Sequence, residues 1–276
     1  MQRRTKHYGF TLLEISMVLI IVGLIIGGVL VGRDMIAAAE IRAQITQIEK
    51  YKMAALIFKN KYGALPGDLA GAAGLGLAQA VGVANEYGAA SRTGDGLIMS
   101  CINDSQSATV APPYGYVFFG CENSLFWNHL SQTDLIGAGF AQTDNANSFN
   151  HSVSHPSLYI PHAVIGDNYV IVYAWNGTNY FHIVGMPTIW SNNGYGSIPS
   201  QNRLTPLQAY QLDLKIDNGF PLTGSVKAYD LDASNNLWLY LAAGSNTRCR
   251  NSSDAYNVNG SVSDNGLCQL QIKAGF

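Results

Sequence analysis

Charged side chains are scarce in this chain. Asp, Glu, Lys and Arg make up 12% of 276 residues, where a soluble domain carries about 25%. A basic excess is missing too, with 16 Lys and Arg against 18 Asp and Glu. That balance argues against a general nucleic-acid binder. H-E-x-x-H, G-x-S-x-G, P-loop and Rossmann patterns do not occur, and GAAGLG at 71–76 lacks the G-x-G-x-x-G spacing. The four cysteines include no C-x2–4-C pair, which removes the usual zinc framework. No repeat of fixed period stands out. Catalysis is therefore not expected, and no cofactor is. At 47% hydrophobic residues the chain is too apolar for disorder.

Much of that apolar content lies at one end. Residues 10–32, FTLLEISMVLIIVGLIIGGVLVG, hold a single charge, Glu14. A helix of this length spans about 30 Å of hydrocarbon, so the segment reads as a membrane span. Residues 1–9 carry Arg3, Arg4 and Lys6 and no acid. The positive-inside bias then keeps that end cytoplasmic and places the remainder outside. A secretory signal cut near Ala37–Ala39 fits less well. The apolar run is too long, and Arg33–Asp34 falls between it and the alanines. A carboxylate five residues into a span is costly, so Glu14 is expected to have a partner.

Met35 to Tyr62 contains neither Pro nor Gly. Apolar residues at Ile41, Ile45, Ile48, Ala55, Phe58 and Tyr62 keep a helical period, with Tyr51 and Lys52 interrupting the stripe. Residues 10–62 are expected to form one helix about 80 Å long. Gly63 is placed to cap it, and Pro66 prevents its return.

Gly9-Phe10-Thr11-Leu12-Leu13-Glu14, after a short basic leader and before an apolar run, resembles the type IV prepilin and pseudopilin signal. The resemblance implies that prepilin peptidase cuts between Gly9 and Phe10 and that Phe10 is N-methylated. Glu14 becomes the fifth residue of the mature chain, and in the family this glutamate faces the terminal ammonium of a neighbouring subunit. Two costly charges in a low-dielectric bundle offset each other when paired, which makes Glu14 an assembly and register device. Many major pilins carry a proline where this chain has Val31. The Gly23-x3-Gly27 and Gly28-x3-Gly32 spacings allow close helix approach.

The implied organisation is a leader (1–9), a transmembrane segment (10–32), the outer half of a stalk helix (33–62) and a globular head (63–276). The fold class expected is α+β, with the stalk packed on a head built around antiparallel sheet. Strands are expected at 114–120, 157–160, 169–175, 180–185, 225–230 and 237–242. Helices are expected at 123–136, with Phe126, Leu130 and Leu135 or Ile136 inward, and at 205–216, capped by Thr205. Residues 68–97 read as a loosely packed helix-and-loop region. YGALPGDL after the stalk and IDNGFPLTG at 216–224 also resemble segments of pilin-like proteins.

Four cysteines allow three pairings. The local one, Cys101–Cys121 with Cys249–Cys268, closes two loops of similar length, and its second bridge resembles the C-terminal disulfide loop of many pilins. Asp213 and Asp217, before Asn218-Gly219, read either as calcium ligands or as a helix end with a turn. Asp230 and Asp232 read as solvent-facing. His151, His155 and His162 lie near Pro156 and Pro161, which spoils a helical metal site. His129 and His182 read as packed or surface residues. Trp175, Tyr180, Trp190 and Tyr195 surround Asn/Gly-rich turns and are a candidate binding surface for sugar or protein.

The expected role is therefore a structural subunit, a minor one, of a type IV pilus-like filament or a type II secretion pseudopilus. Its expected partners are prepilin peptidase, other pilin or pseudopilin subunits and an inner-membrane assembly platform, with cargo or a surface ligand on the head. The expected location is the bacterial inner membrane and then a periplasmic or extracellular filament. A filament-tip adhesion protein is the alternative, and a membrane-anchored enzyme a third reading. Net side-chain charge divides as +3 on the leader, +2 on residues 10–62 and −7 on the head.

Overall fold

The computed structural model describes residues 10–79, 94–99, 116–119, 122–137, 139–141, 156–185, 190–192, 195–199, 204–229, 249–251, 253–258 and 268–276. The chain divides into two compact units, Met1–Arg42 and Ala43–Phe276. Helix α1 (Leu12–Tyr62, 51 residues) runs through the boundary. It ends where the sequence expects. Gly63 takes φ +79°, and its N–H donates to the Lys59 carbonyl at 2.8 Å.

In the first unit, α1 is exposed from Leu12 to Val31. Its best 18-residue window has mean hydropathy 2.8, long and apolar enough to cross a membrane.

In the second unit the same helix builds a core. Four strands, β2 (Asn168–Trp175), β3 (Thr178–Gly185), β6 (Val226–Tyr229) and β7 (Gln269–Lys273), form an antiparallel sheet in the order β2-β3-β7-β6. A smaller antiparallel sheet orders β1 (Tyr116–Phe119), β5 (Tyr195–Pro199) and β4 (Trp190–Asn192). Two further helices are α2 (Glu122–Gln132) and α3 (Pro206–Ile216). The fold is α+β.

Register sorts the larger sheet into two faces. Phe181 pairs with Val172 and Ile272, and Ile183 with Val170 and Leu270, so one face is wholly apolar. Aromatic side chains from α1 and α2 converge there. Tyr51 lies 6.4 Å from Phe181 and 4.8 Å edge-on to Trp127, and Phe126 lies 6.1 Å from Phe181. Tyr51 therefore belongs to the core stripe of α1 that the sequence pattern had it interrupt. Its ring packs, and its hydroxyl accepts a hydrogen bond from Gln47 Nε2 at 3.1 Å. Burial pushes that hydroxyl's pKa up to about 12.

The opposite face carries Tyr173, Tyr180, His182, Gln269 and Gln271, all buried. Gln271 Nε2 donates to the Tyr173 hydroxyl at 3.0 Å, and the His182 ring stands 5.8 Å from Tyr173.

Several expectations are corrected. Residues 157–160 are not a strand. Pro156–Leu158 is a 3-10 turn, with the Tyr159 and Ile160 N–H groups donating to the Pro156 carbonyl. Helix α2 stops at Gln132, four residues early, and Asp134 takes φ +56° there. It is buried on all sides from Glu122 to Leu130, and not along one stripe. Two of its polar side chains are tied to the backbone of other segments: Asn128 Nδ2 donates to the Phe140 carbonyl at 2.8 Å, and Glu122 Oε2 accepts the Met99 N–H at 2.8 Å. Strands β4, β5 and β7 were not foreseen. The stretch at 237–242 lies outside the described residues.

The Leu65-Pro66-Gly67-Asp68 join is fixed from two sides. The Gly67 N–H donates to His129 Nδ1 at 2.9 Å, so Nε2 carries the proton and donates to the Ala78 carbonyl at 2.6 Å. The His129 ring stacks on Phe58, centroids 5.6 Å apart. The Asp68 carboxylate accepts the N–H groups of Gly94, Asp95 and Gly96. Gly67 has φ +86°, and a Cβ there would overlap the Glu122 carbonyl oxygen.

Two predictions follow from these buried groups. Gly67→Ala combines a left-handed backbone with a backbone clash and should cost about 3 kcal/mol or more, read as a lowered thermal midpoint of the full chain. Burial pushes the His182 pKa down to about 3 from 6.5, while a weaker hydrogen bond with Gln269 opposes the shift. Between those values the unfolded chain binds a proton that the folded chain refuses. Stability is thus complete above about pH 6.5 and falls with pH by about 1.4 kcal/mol per unit. Burial lowers His129 as well, with the same sign. Denaturant titrations should show wild type losing about 2–3 kcal/mol more than His182→Gln between pH 6.5 and 4.5; equal losses would contradict this.

Candidate functional site

The N-terminal segment concentrates the chemistry the sequence singled out. Helix α1 starts at Leu12, which leaves Thr11 as the residue before it. The Thr11 N–H and hydroxyl both donate to Glu14 Oε2, at 2.8 and 2.9 Å. The Glu14 N–H returns a bond to Thr11 Oγ1 at 3.3 Å. This reciprocal pattern is a capping box, and it satisfies donors that the first helical turn leaves open. Thr11-x-x-Glu14 before an apolar run is its sequence signature, and the sequence reading passed over it. Glu14 also puts negative charge at the positive end of the helix. Both Thr11 donors go to the one oxygen, Oε2. Phe10 is exposed, and Gly9 lies outside the described residues.

The C-terminal cysteines are joined. Cys249 and Cys268 form a disulfide across a Cα–Cα distance of 5.2 Å and 19 positions of sequence. Cys268 forms a single antiparallel bridge with Leu204, just before α3. Cys101 and Cys121 lie outside the described residues, as do Asp230, Asp232, His151 and His155.

Asp213 and Asp217 come together at the end of α3, but their oxygens face protein donors. Asp213 is fully buried. Its Oδ2 accepts the Tyr256 hydroxyl at 2.8 Å, and Oδ1 accepts the Gly219 N–H at 3.2 Å. Asp217 Oδ2 accepts the Ser225 and Val226 N–H groups. Burial raises the Asp213 pKa above the usual carboxylate range, and burial plus the Asp213 charge raises Tyr256 strongly. These aspartates tie α3 to the disulfide segment and to the turn before β6. Among the described residues no group of three or more His, Cys, Asp and Glu is placed to hold a metal ion.

The four aromatics of the candidate binding surface do not share one exposure. Tyr180 is buried in the far face of the sheet and Trp175 is half-buried. The side chains of Trp190 and Tyr195 lie outside the described residues.

Sequence reasoning missed one concave site. A cavity of about 380 Å³ is lined by Lys50 and Tyr51 of α1, by Ile136, Gly137 and Phe140 after α2, and by Ser157, Ile160, Pro161 and His162. Nearby, Gln47 Nε2 donates to the His162 carbonyl at 2.8 Å, and buried Gln44 Oε1 accepts the Val164 and Ile165 N–H groups at 2.7 and 3.2 Å. Three segments far apart in sequence build its wall, so no local pattern announces it. Comparison with protein-family models, with curated proteins and with solved structures gives no match.

Proposed function

We propose that the chain is a structural subunit of a type IV pilus-like filament or a type II secretion pseudopilus. The observation that carries this reading is helix α1. One unbroken 51-residue helix begins with an exposed apolar segment of membrane-spanning length and ends by covering the apolar sheet face of a folded unit. A plain membrane anchor needs only the first part.

Removal of residues 1–9 by prepilin peptidase exposes a new amine on Phe10. The span holds the precursor in the inner membrane, head on the periplasmic side. Assembly transfers the span from lipid into a bundle of identical helices. There one Glu14 oxygen accepts the Phe10 ammonium of a neighbouring chain while the other oxygen keeps the Thr11 cap. The cap organises the helix start of each subunit, and the pairing sets register between subunits. The role is assembly, with no reaction at the head.

Mass spectrometry of the full chain from its own host tests the processing step. The expected first residue is N-methylated Phe10, and Gly9→Val should leave the leader attached. A mature chain starting at Met1, or near Ala38, would overturn the proposal.

A further inference from the structure

A series of hydrogen bonds along α1 points in one direction and stops at a residue of the cavity wall. The Val164 and Ile165 N–H groups donate to Gln44 Oε1 at 2.7 and 3.2 Å. Gln44 Nε2 donates to Gln47 Oε1 at 2.9 Å. Gln47 Nε2 donates in turn to the Tyr51 hydroxyl oxygen at 3.1 Å and to the His162 carbonyl at 2.8 Å. Each member accepts from the one before it and donates to the next, so the bonds polarise one another. The last member, the Tyr51 hydroxyl, accepts and has no acceptor for its own proton among the described residues. Tyr51 is 7% exposed, and a buried donor left unspent is costly. With its pKa pushed up to about 12 by burial, the hydroxyl keeps that proton at neutral pH.

The cavity that Tyr51 lines, about 380 Å³, lies near the low end of the range for small-ligand sites, about 300–1,000 Å³. Lys50 lines it as well, and no acidic residue does. Glu49, the neighbouring acid on α1, is paired with Lys52 at 3.4 Å, and no ion pair of Lys50 occurs among the described residues. Ile136, Phe140, Ile160 and Pro161 supply apolar surface. The backbone on that side is already held. The Ile160 N–H donates to the Pro156 carbonyl at 3.0 Å, the Pro161 carbonyl accepts the Val170 N–H at 3.0 Å, and the Leu158 carbonyl accepts the Ala141 N–H at 2.7 Å. A wall ordered in advance lowers the cost of binding. An unspent hydroxyl donor and a cation beside apolar surface suit a molecule with an apolar body and one anionic acceptor group.

We infer that this cavity binds a small aromatic carboxylate. Its ring packs on Phe140, Ile160 and Pro161, and its carboxylate accepts a hydrogen bond from the Tyr51 hydroxyl and pairs with Lys50. An aromatic ring gives the apolar body much contact area for little ordering cost. Every residue involved belongs to the second unit, so the site exists whether or not the chain enters a filament.

Titration of the full chain in detergent with phenylacetate tests the site, read on the indole N–H resonances of the tryptophans. The chain has four. Trp127, edge-on to Tyr51 at 4.8 Å, is the reporter, and Trp127→Phe identifies its peak. The expected result is a saturable shift of that peak, half-complete at about 1 mM or below. Phenethylamine, the same ring with the opposite charge, and acetate, the charge without the ring, should each need about tenfold more. Tyr51→Phe keeps the ring and should weaken phenylacetate about tenfold. Lys50→Gln should weaken it several-fold, and less at high salt. Gly137→Leu adds a side chain at the cavity from a position where a Cβ meets nothing within 4 Å, and should block the shift while the other indole peaks stay in place. No saturable shift at about ten times the expected concentration would overturn the site. So would an equal response to phenethylamine, or phenylacetate binding left unchanged by Tyr51→Phe, Lys50→Gln or Gly137→Leu.

Discussion

The apolar face of the four-stranded sheet has to be covered, and the second half of α1 does much of that work. Val170, Val172, Phe181, Ile183, Leu270 and Ile272 line that face, all at most 1% exposed. Burying a residue such as Phe or Ile is worth about 1.5–3 kcal/mol, so six of them dominate the unit's stability. Ile48, Tyr51, Ala55 and Phe58 of α1 and Phe126 and Trp127 of α2 supply buried apolar surface for it. One helix therefore serves two environments in series. Its first segment has no apolar partner among the described residues, while its last five turns are committed to the core. An apolar segment of membrane-spanning length is thus continuous with a helix that belongs to the core of the second unit. The proposed filament role would use that coupling, which a simple tether does not need.

The buried polar groups act as fasteners around that core. His129, whose pKa burial lowers against the opposing hydrogen bond to the Ala78 carbonyl, locks the exit of α1 to α2. Gln44 and Gln47 fasten α1 to the 162–165 segment. Asp68 gathers three N–H groups of the 94–96 turn. Asp213 joins α3, the Gly219 turn and Tyr256, which follows the disulfide-bonded Cys249 by seven positions. Each is a satisfied hydrogen-bonding group, expensive to lose and thus specifying one arrangement. Part of the shortage of charge lies in the apolar segment 10–32, which holds Glu14 alone.

Local signals in the sequence proved accurate where the physics is local. Gly63 and Pro66 mark the end of α1 because a left-handed cap and a missing N–H act within one turn. Thr205-Pro206 marks the start of α3, where Gln208 completes a capping box. The β2 and β3 strands lie within two residues of their expected bounds because β-branched and aromatic runs were flanked by Asn-Gly. Strand β7 was overlooked although Gln269-Leu270-Gln271-Ile272-Lys273 alternates, since its glutamines looked like loop. Tyr51 and the polar side of α2 were misjudged for a different reason. Their partners lie outside the element, 12 positions away for Asn128, 23 for Glu122 and 62 for His129, and on α2 for Tyr51. The same distance hid the cavity beside Lys50. At the helix start Glu14 is legible by its isolation, and its bond to Thr11 by the Thr-x-x-Glu spacing ahead of an apolar run, a signal that hydropathy does not carry.

That bond sharpens what Glu14 can be asked. In the proposed filament its side chain has two separable duties, the observed cap, which needs only a hydrogen-bond acceptor, and a pairing that needs charge. Glu14→Gln keeps the first and removes the second, since glutamine serves in a capping box. The direct measurement is the fraction of processed Glu14→Gln chain recovered in sheared or pelleted filaments, against wild type and Glu14→Val. The account predicts normal removal of residues 1–9 in all three, with both variants depleted from filaments at least tenfold. Glutamine chains assembling as wild type would show that capping alone suffices and would contradict the charge pairing at the centre of this account.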